Sequence, residues 1–438
     1  MIKKTTWSLI CKHIIQPLRD TINSSEFIDR HKTSEVAFTR NRVLNFSVIM
    51  MFMMNMIKGA LQRELDNFFQ ALNGYDVAVR TITKSAFSAA RRKIKETAFT
   101  ELNSQLIIRW YRTYNVKRWH GLSLFAIDGS TLRLPDYPEI IAFFGQMYPD
   151  KGAPVTMARI SQLFDPLNNL IHDATIGPYS SDERDFLIQH LNSISSGSLL
   201  LLDRGYPAFW VFSALKAQKI YWCARMPLGH WTIVDKFLAS SKEDDIVTLK
   251  PSSAMALECR TRKLKSTPIK VRLLKICLQS GQVEVLATSL LDQEEYPYSD
   301  FQALYHLRWP IEESYKRQKS RLEIENWSGR SELTIRQDYH AKVLSTNITL
   351  MMTSPAQELV DIVHKDCKYP MKVNVTHALS IMKNTIVKLI ISHDPIKLLR
   401  SIIDILAKTI EPVRENRSYP RRASEGGRKY HERYKPCS

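Results

Sequence analysis

The sequence predicts an α/β core with helical segments on either side, and three observations carry that expectation. Apolar residues recur at helical spacing through residues 35–117 and again through 339–410. Near residue 122 the pattern changes to short apolar runs bounded by Gly, Pro and Asp. From 220 to about 291 strand-like runs are separated by polar stretches. At 438 residues the chain exceeds one ordinary core, so two or three domains are expected.

The N-terminal residues lack the small-residue cleavage site of a signal peptide. The apolar stretch 46–54 stops at Asn55 and Lys58, well short of the ~20 residues that span a bilayer, so a buried helix is expected and no membrane partner. Leu61, Leu65, Phe68, Phe69 and Leu72 form the apolar face of a helix that Asn73-Gly74 ends. Thr83 or Ser85 is expected to cap the next helix, with Phe87, Ala90, Ile94 and Ala98 on its apolar face. Its other side carries Arg91, Arg92, Lys93 and Lys95. That pair reads either as a DNA-binding helix-turn-helix variant, with Arg91, Arg92 and Lys93 toward DNA, or as a bundle with a solvated charged face.

In the middle of the chain, 122–127 and 198–202 read as central strands covered on both faces, because their hydrophobicity is nearly continuous. Residues 159–164 and 170–176 add strands to the same sheet, and 180–192 a helix. Strand runs at 220–225, 246–249, 269–277 and 283–289, with no helix of convincing length among them, describe a β-rich insertion at about 220–295. Ser299-Asp300-Phe301-Gln302 resembles a capping box opening a helix that runs toward Arg321 with a kink at Pro310. Helices follow around 338–352, 376–391 and 396–408, and a strongly basic tail begins at Pro412. The division expected is 1–117 helical and DNA-binding, 118–338 α/β and catalytic, 339–411 helical, and 412–438 tail.

Sixty-two Lys and Arg against 44 Asp and Glu leave a formal charge of +18, which argues for a polyanionic partner. The six cysteines have no close pair, which fits reduced thiols in cytoplasm better than a disulfide framework or a zinc site.

Three acidic residues stand out against this basic background. Asp128 and Asp203 each follow an apolar strand run, where a carboxylate sits on a rigid support facing the crevice of an α/β sheet. Taken singly, Asp128-Gly129 also fits a turn and Asp203 a helix cap. Tyr305, Arg308, Glu312 and Lys319 fall within roughly a 60° arc if one helix carries them at ~100° per residue. Such a face offers a metal-binding carboxylate, an Arg fork and a Lys point charge, suited to gripping phosphate. The plain alternative is an exposed face with a Glu312–Lys316 pair. Carboxylates gathered from distant segments are one way to hold divalent ions beside a phosphate.

On these residues the chain resembles the DDE transposases of bacterial insertion sequences of the insertion-sequence-four type. Tyr305-x2-Arg308-x3-Glu312-x6-Lys319 is similar to their Tyr-Arg-Glu-Lys signature, with Ile127-Asp128-Gly129 and Asp203-Arg204-Gly205-Tyr206 in the matching order. The resemblance implies an RNase H-like catalytic domain carrying the β-rich insertion. It implies that Asp128, Asp203 and Glu312 hold two Mg²⁺ or Mn²⁺ ions for cleavage at element ends and joining to target DNA. Tyr305, Arg308 and Lys319 would hold backbone phosphates, and Trp309, less so Trp231, would stack on a displaced base. Double-stranded DNA and a homodimer in the paired complex are the partners implied, in a bacterial, nucleoid-associated setting. A stand-alone RNase H-like nuclease and a non-catalytic DNA-binding protein or repressor derived from a transposase are the alternatives.

Overall fold

The computed structural model describes residues 5–278 and 281–414. The contacts of the described residues divide into two units, one of residues 5–115, 133–157 and 316–414, the other of 116–132 and the described part of 158–315. Of the basic tail expected at 412–438, residues from 415 on lie outside the described part.

The first unit is built on a 32-residue helix, Glu332–Val363. Ser331 and Thr334 form a capping box at its start, and most of its side chains are buried. It begins earlier and ends later than the expected 338–352, passing through Pro355. Burial on nearly every side outweighs the hydrogen bond that a proline removes. Thr97–Thr113, Phe46–Met54 and Pro395–Lys408 pack against it. Phe46–Met54 is the apolar stretch noted above, a nine-residue helix capped by Asn45 and buried almost throughout. Among the described residues no helix is long and apolar enough to cross a membrane.

Thr83 caps the helix Lys84–Arg91 through the Ala86 N–H. That helix ends at Arg91, so Ile94 and Ala98 do not continue its apolar face as expected; Ile94 bridges to Lys32, and Ala98 belongs to the next helix. Arg91 corrects a second expectation. Its side chain is buried and cannot meet DNA: it donates to Asp338 Oδ1 at 2.7 Å, Gln337 Oε1 at 2.9 Å, Ser328 Oγ at 2.7 Å and the Thr334 carbonyl at 3.1 Å. Arg92 and Lys93 are exposed.

The second unit is organised by a mixed sheet. Its strands are β1 Leu124–Arg133, β3 Val155–Asp165, β4 Leu170–Pro178, β5 Leu199–Leu202, β6 Tyr221–Arg225, β7 Asp244–Leu249, β8 Ile269–Cys277 and β9 Val283–Thr288. The order is β4-β3-β1-β5-β6-β9-β8-β7. In the first unit the short β2, Gln146–Met147, pairs with the start of β3. β1, β5 and β6 are parallel, while β3–β4 and β6 through β7 pair antiparallel. β5 is four leucines, each buried, as a strand covered on both faces requires. Phe125, Leu200, Trp210, Phe212 and Trp222 fill the core on the side of the helix Phe209–Ala217, which crosses from β5 to β6.

The stretch at 220–295 extends this sheet and contains two helices, Thr232–Ala239 and Ser253–Thr261, against the expectation of none. Each has fewer than ten residues, too short for periodicity to declare; their starts are set by local bonds, Asp235 accepting from the Gly229 N–H and Ser252 from the Met255 N–H. The five described cysteines form no disulfide.

Removing Arg91 strands the buried Asp338 carboxylate. Arg91→Ala is expected to lose about 3–5 kcal/mol of unfolding free energy in urea titration. Arg92→Ala should change it by less than about 0.5 kcal/mol. A loss below about 1 kcal/mol for Arg91→Ala would show that the buried pair does not anchor this unit.

Candidate active site

The pairing of β1 with β5 decides where the first two acids stand. The register joins Leu124 to Leu199, Phe125 to Leu200 and Ala126 to Leu201. Carried two residues on, it sets Asp128 level with Asp203, on neighbouring chains that a sheet holds about 4.8 Å apart. Asp128 is not at a strand end, as its Gly129 neighbour suggested, because β1 continues to Arg133. β5 stops at Leu202, and Asp203 opens a turn in which its Oδ1 accepts the Gly205 N–H at 2.8 Å.

Asp128 is partly buried, and its own Oδ1 accepts the Gly129 N–H at 2.9 Å. Its carbonyl accepts the Tyr315 hydroxyl at 2.8 Å. Burial pushes the Asp128 carboxyl up to about 7; Arg308 opposes the rise, and Asp203 and Glu312 add to it. Asp203 and Glu312 are thus near enough for their charges to act on Asp128.

The expected single helix through Tyr305 and Lys319 is two. One runs Asp300–His306, the chain turns over 307–309, and a second starts with Pro310 and runs to Ser320. Pro310 is therefore a first-turn proline, which needs no N–H partner, and not the site of a kink. The Ser299 side chain makes no cap bond, so the expected capping box is absent. Tyr305 and Arg308 accordingly do not share the face of Glu312, yet the turn brings the arginine onto it: Arg308 Nη2 donates to Glu312 Oε1 at 2.6 Å, and Arg308 is 9% exposed. Tyr305 reaches the end of β5, its hydroxyl 3.4 Å from the Leu202 carbonyl, and burial raises its phenol above the usual range.

Trp309 is 42% exposed, with the Arg308 guanidinium 5.8 Å from its ring centre. Trp231 packs against the core beside Phe212 and lines a cavity of about 340 Å³ with Arg184, Arg204, Pro207, His230 and Met255. Lys319 occupies the last turn of Pro310–Ser320, in the other unit, where burial lowers its pKa against an opposing pull from Glu325.

Two residues that sequence reasoning passed over stand at this site. Glu183, at the start of Glu183–His190, accepts from Arg159 Nη1 at 2.7 Å and packs so tightly on Gly129 that a Cβ there would lie 2.5 Å from its carboxyl carbon. Tyr206 is fully buried. Glu183 carried no sequence signal; Tyr206 stood in the quoted Asp203–Tyr206 run without a role.

The donor set is all carboxylate oxygen, the kind Mg²⁺ and Mn²⁺ prefer, and its mutual repulsion on Asp128 is what a cation relieves. In chemistry the three acids fit divalent ions. Among the described residues no three His, Cys, Asp or Glu side chains stand close enough to enclose one, and Glu312 is turned to Arg308.

Comparison with known proteins follows the same residues. The family model described as Transposase DDE domain matches residues 119–348. Transposase InsG for insertion sequence element IS4, from Escherichia coli (strain K12), is 26% identical over 288 residues, covering 63% of this chain and 61% of InsG. Putative transposase InsZ from the same organism is 26% identical over 132 residues, 30% of this chain and 44% of InsZ. The chain thus spans less than two thirds of the length of these curated relatives. A piggyBac transposase synaptic complex with hairpin DNA aligns with a TM-score of 0.45 and 10% identity, over 95% of this chain and 89% of that one. Since the matched domain takes in more than half of the sequence, a stretch that contains Asp128, Asp203 and Glu312, the chain belongs to the DDE-domain transposases.

Proposed function

We infer that this transposase cleaves the ends of its insertion sequence and joins them to target DNA by a two-metal mechanism, with Asp128, Asp203 and Glu312 as the metal-holding residues. The observation that carries the reading is the level placement of Asp128, in β1, and Asp203, just past the end of the adjacent parallel β5, with Glu312 near enough to perturb Asp128. We read the mixed sheet around them as an RNase H-like core. Double-stranded DNA is the substrate, in the bacterial cytoplasm at the nucleoid, and two copies pair two element ends.

Bound Mg²⁺ or Mn²⁺ would supply activation of a water or 3′-hydroxyl and stabilisation of the leaving oxygen. The chain's own residues do the rest. Asp128 and Asp203, fixed by backbone turns and strand pairing, present two oxygens at one level. Arg308 holds Glu312 in a defined orientation and brings a phosphate-complementary fork to the site. Tyr305, half-buried and kept protonated, binds and does not attack. Exposed Trp309 offers a ring for a base, and Arg92, Lys93 and Lys319 offer charge to the DNA backbone.

The test is cleavage and strand transfer on DNA carrying the element's own ends, with Mg²⁺ or EDTA. Cutting and joining are expected only with Mg²⁺, and Asp203→Ala should lower both by at least about 10³-fold. Cutting without joining would indicate a nuclease, and metal-independent binding alone a DNA-binding relic; either result overturns the proposal.

A pH dependence follows from Asp128. Its folded pKa, about 7, lies above the ordinary carboxylate value of about 3.9, so the folded state holds the proton longer than the unfolded one. In EDTA its contribution to stability is therefore fully present below about pH 4 and is lost as pH rises toward 7. Metal binding must displace that proton, so Mn²⁺ affinity by calorimetry should fall about tenfold per pH unit below 7 and level off above it. Mn²⁺ affinity that stays flat between pH 5.5 and 8 would remove Asp128 from the ligand set.

A further inference from the structure

Ile127, Leu202, Ala224 and Val285 belong to the apolar core on one face of the sheet. Side chains alternate along a strand, so the residues beside them face the other way. Those residues are Asp128 in β1, Asp203 just past β5, Arg225 at the end of β6, and Glu284 in β9.

The register aligns the first three. Ala126 pairs with Leu201, and Leu202 with Ala224, so Asp128, Asp203 and Arg225 fall in one row across three parallel chains. Neighbouring strands lie about 4.8 Å apart, which sets the Arg225 backbone one spacing from Asp203 and two from Asp128. On its other side β6 pairs with β9 through Arg225 and Leu286, which makes Glu284 a diagonal neighbour of Arg225 on the same face.

Glu284 holds the arginine there. Arg225 Nη1 lies 2.9 Å from Glu284 Oε1, with the arginine side chain 31% exposed and the carboxylate 9%. Closing β6 on β9 needs no such pair, since Ala224 faces Ala287 across the same two strands without charge. A guanidinium has five N–H donors, so one carboxylate leaves the fork with donors for a second anion. Tyr305 is near this charge as well as Arg308: its hydroxyl is 3.4 Å from the Leu202 carbonyl, and both arginines oppose the rise that burial gives its phenol.

We propose that Arg225 is a phosphate-holding residue, oriented by Glu284 and gripping the DNA backbone next to the phosphate on which Asp128 and Asp203 act. The inference rests on the DNA-cleaving role assigned above. A row of two acids and an arginine suits a phosphodiester chain: cations on the acids meet the reacting phosphate, and the fork meets its neighbour.

The experiment follows a labelled duplex carrying the element's own end, bound in EDTA across about 50 to 200 mM KCl and read by anisotropy. Full-length wild type is compared with Arg225→Ala and with Arg225→Ala combined with Glu284→Gln, which leaves no stranded carboxylate. Each phosphate contact adds about −0.9 to the slope of log affinity against log salt, so both variants are expected to show a slope shallower by about 0.9. Their Mg²⁺-dependent cutting should slow about 10²-fold, the cost of a misplaced reacting phosphate. A wild-type slope in the double variant would overturn the Arg225 assignment, because any loss in Arg225→Ala alone then comes from the stranded Glu284. A shallower slope with wild-type cutting would also overturn it, by moving the contact away from the reacting phosphate. Wild-type protein that binds the duplex without salt dependence, or not at all, would instead remove the DNA reading beneath it.

Discussion

The register of β1 against β5 is the constraint on which the site depends. Strand hydrogen bonds give no freedom along the chain, so pairing Ala126 with Leu201 brings Asp128 and Asp203, two residues on, to the same level. Two carboxylates reach one level, partly out of water, where their repulsion is felt. The fold tolerates this because β5 is anchored on both faces by leucines and the helix after it. Around the acids, backbone donors at Gly129 and Gly205, the Tyr315 hydroxyl on the Asp128 carbonyl and the Arg308 charge limit the cost. Burial, with a smaller push from Asp203 and Glu312, raises the Asp128 carboxyl above the usual carboxylate range.

The turn at 307–309 is the second decision, and it follows from Pro310. A proline interrupts a continuing helix but starts a new one without loss, and here it does the latter. Breaking the helix frees Tyr305 and Arg308 from the geometry of a single face. Tyr305 then meets the last carbonyl of β5, while Arg308 turns onto Glu312. Glu312 lies in the first turn of its helix, where the macrodipole favours a negative charge. The signature spacing thus survives with a different physical basis from the one its periodicity suggests.

A basic composition says little about where each charge acts. Arg91 and Lys342 are buried in the first unit, one bonded to Asp338 and the other donating to the carbonyls of Glu323, Ile324 and Asn326. Such cations organise loops and helix ends from inside and are lost to any polyanion. Arg92 and Lys93, next in sequence to Arg91, are exposed. Neighbours in a cationic run can therefore have opposite roles.

The strands were legible because buried strands leave continuous apolar runs: the expected 269–277 coincides with β8, and 198–202 nearly with β5. The three acids stand out in the sequence because each follows an apolar run or sits in a distinctive spacing, and the family match covers the stretch that contains them. Short helices at 232–239 and 253–261 were not, since two turns carry too little periodicity. By itself, then, the sequence determined the α/β core and the family, both of which depend on residue type and local order. Only the tertiary structure decided that Asp128 lies within a strand, that Arg308 pairs with Glu312, that Arg91 is internal, and that Glu183 and Tyr206 flank the acids. Arg91 on Asp338 and Glu183 on Gly129 are contacts between segments far apart in the chain, and no local pattern encodes a distance across the fold; Arg308 meets Glu312 because the turn at 307–309 breaks the helix between them.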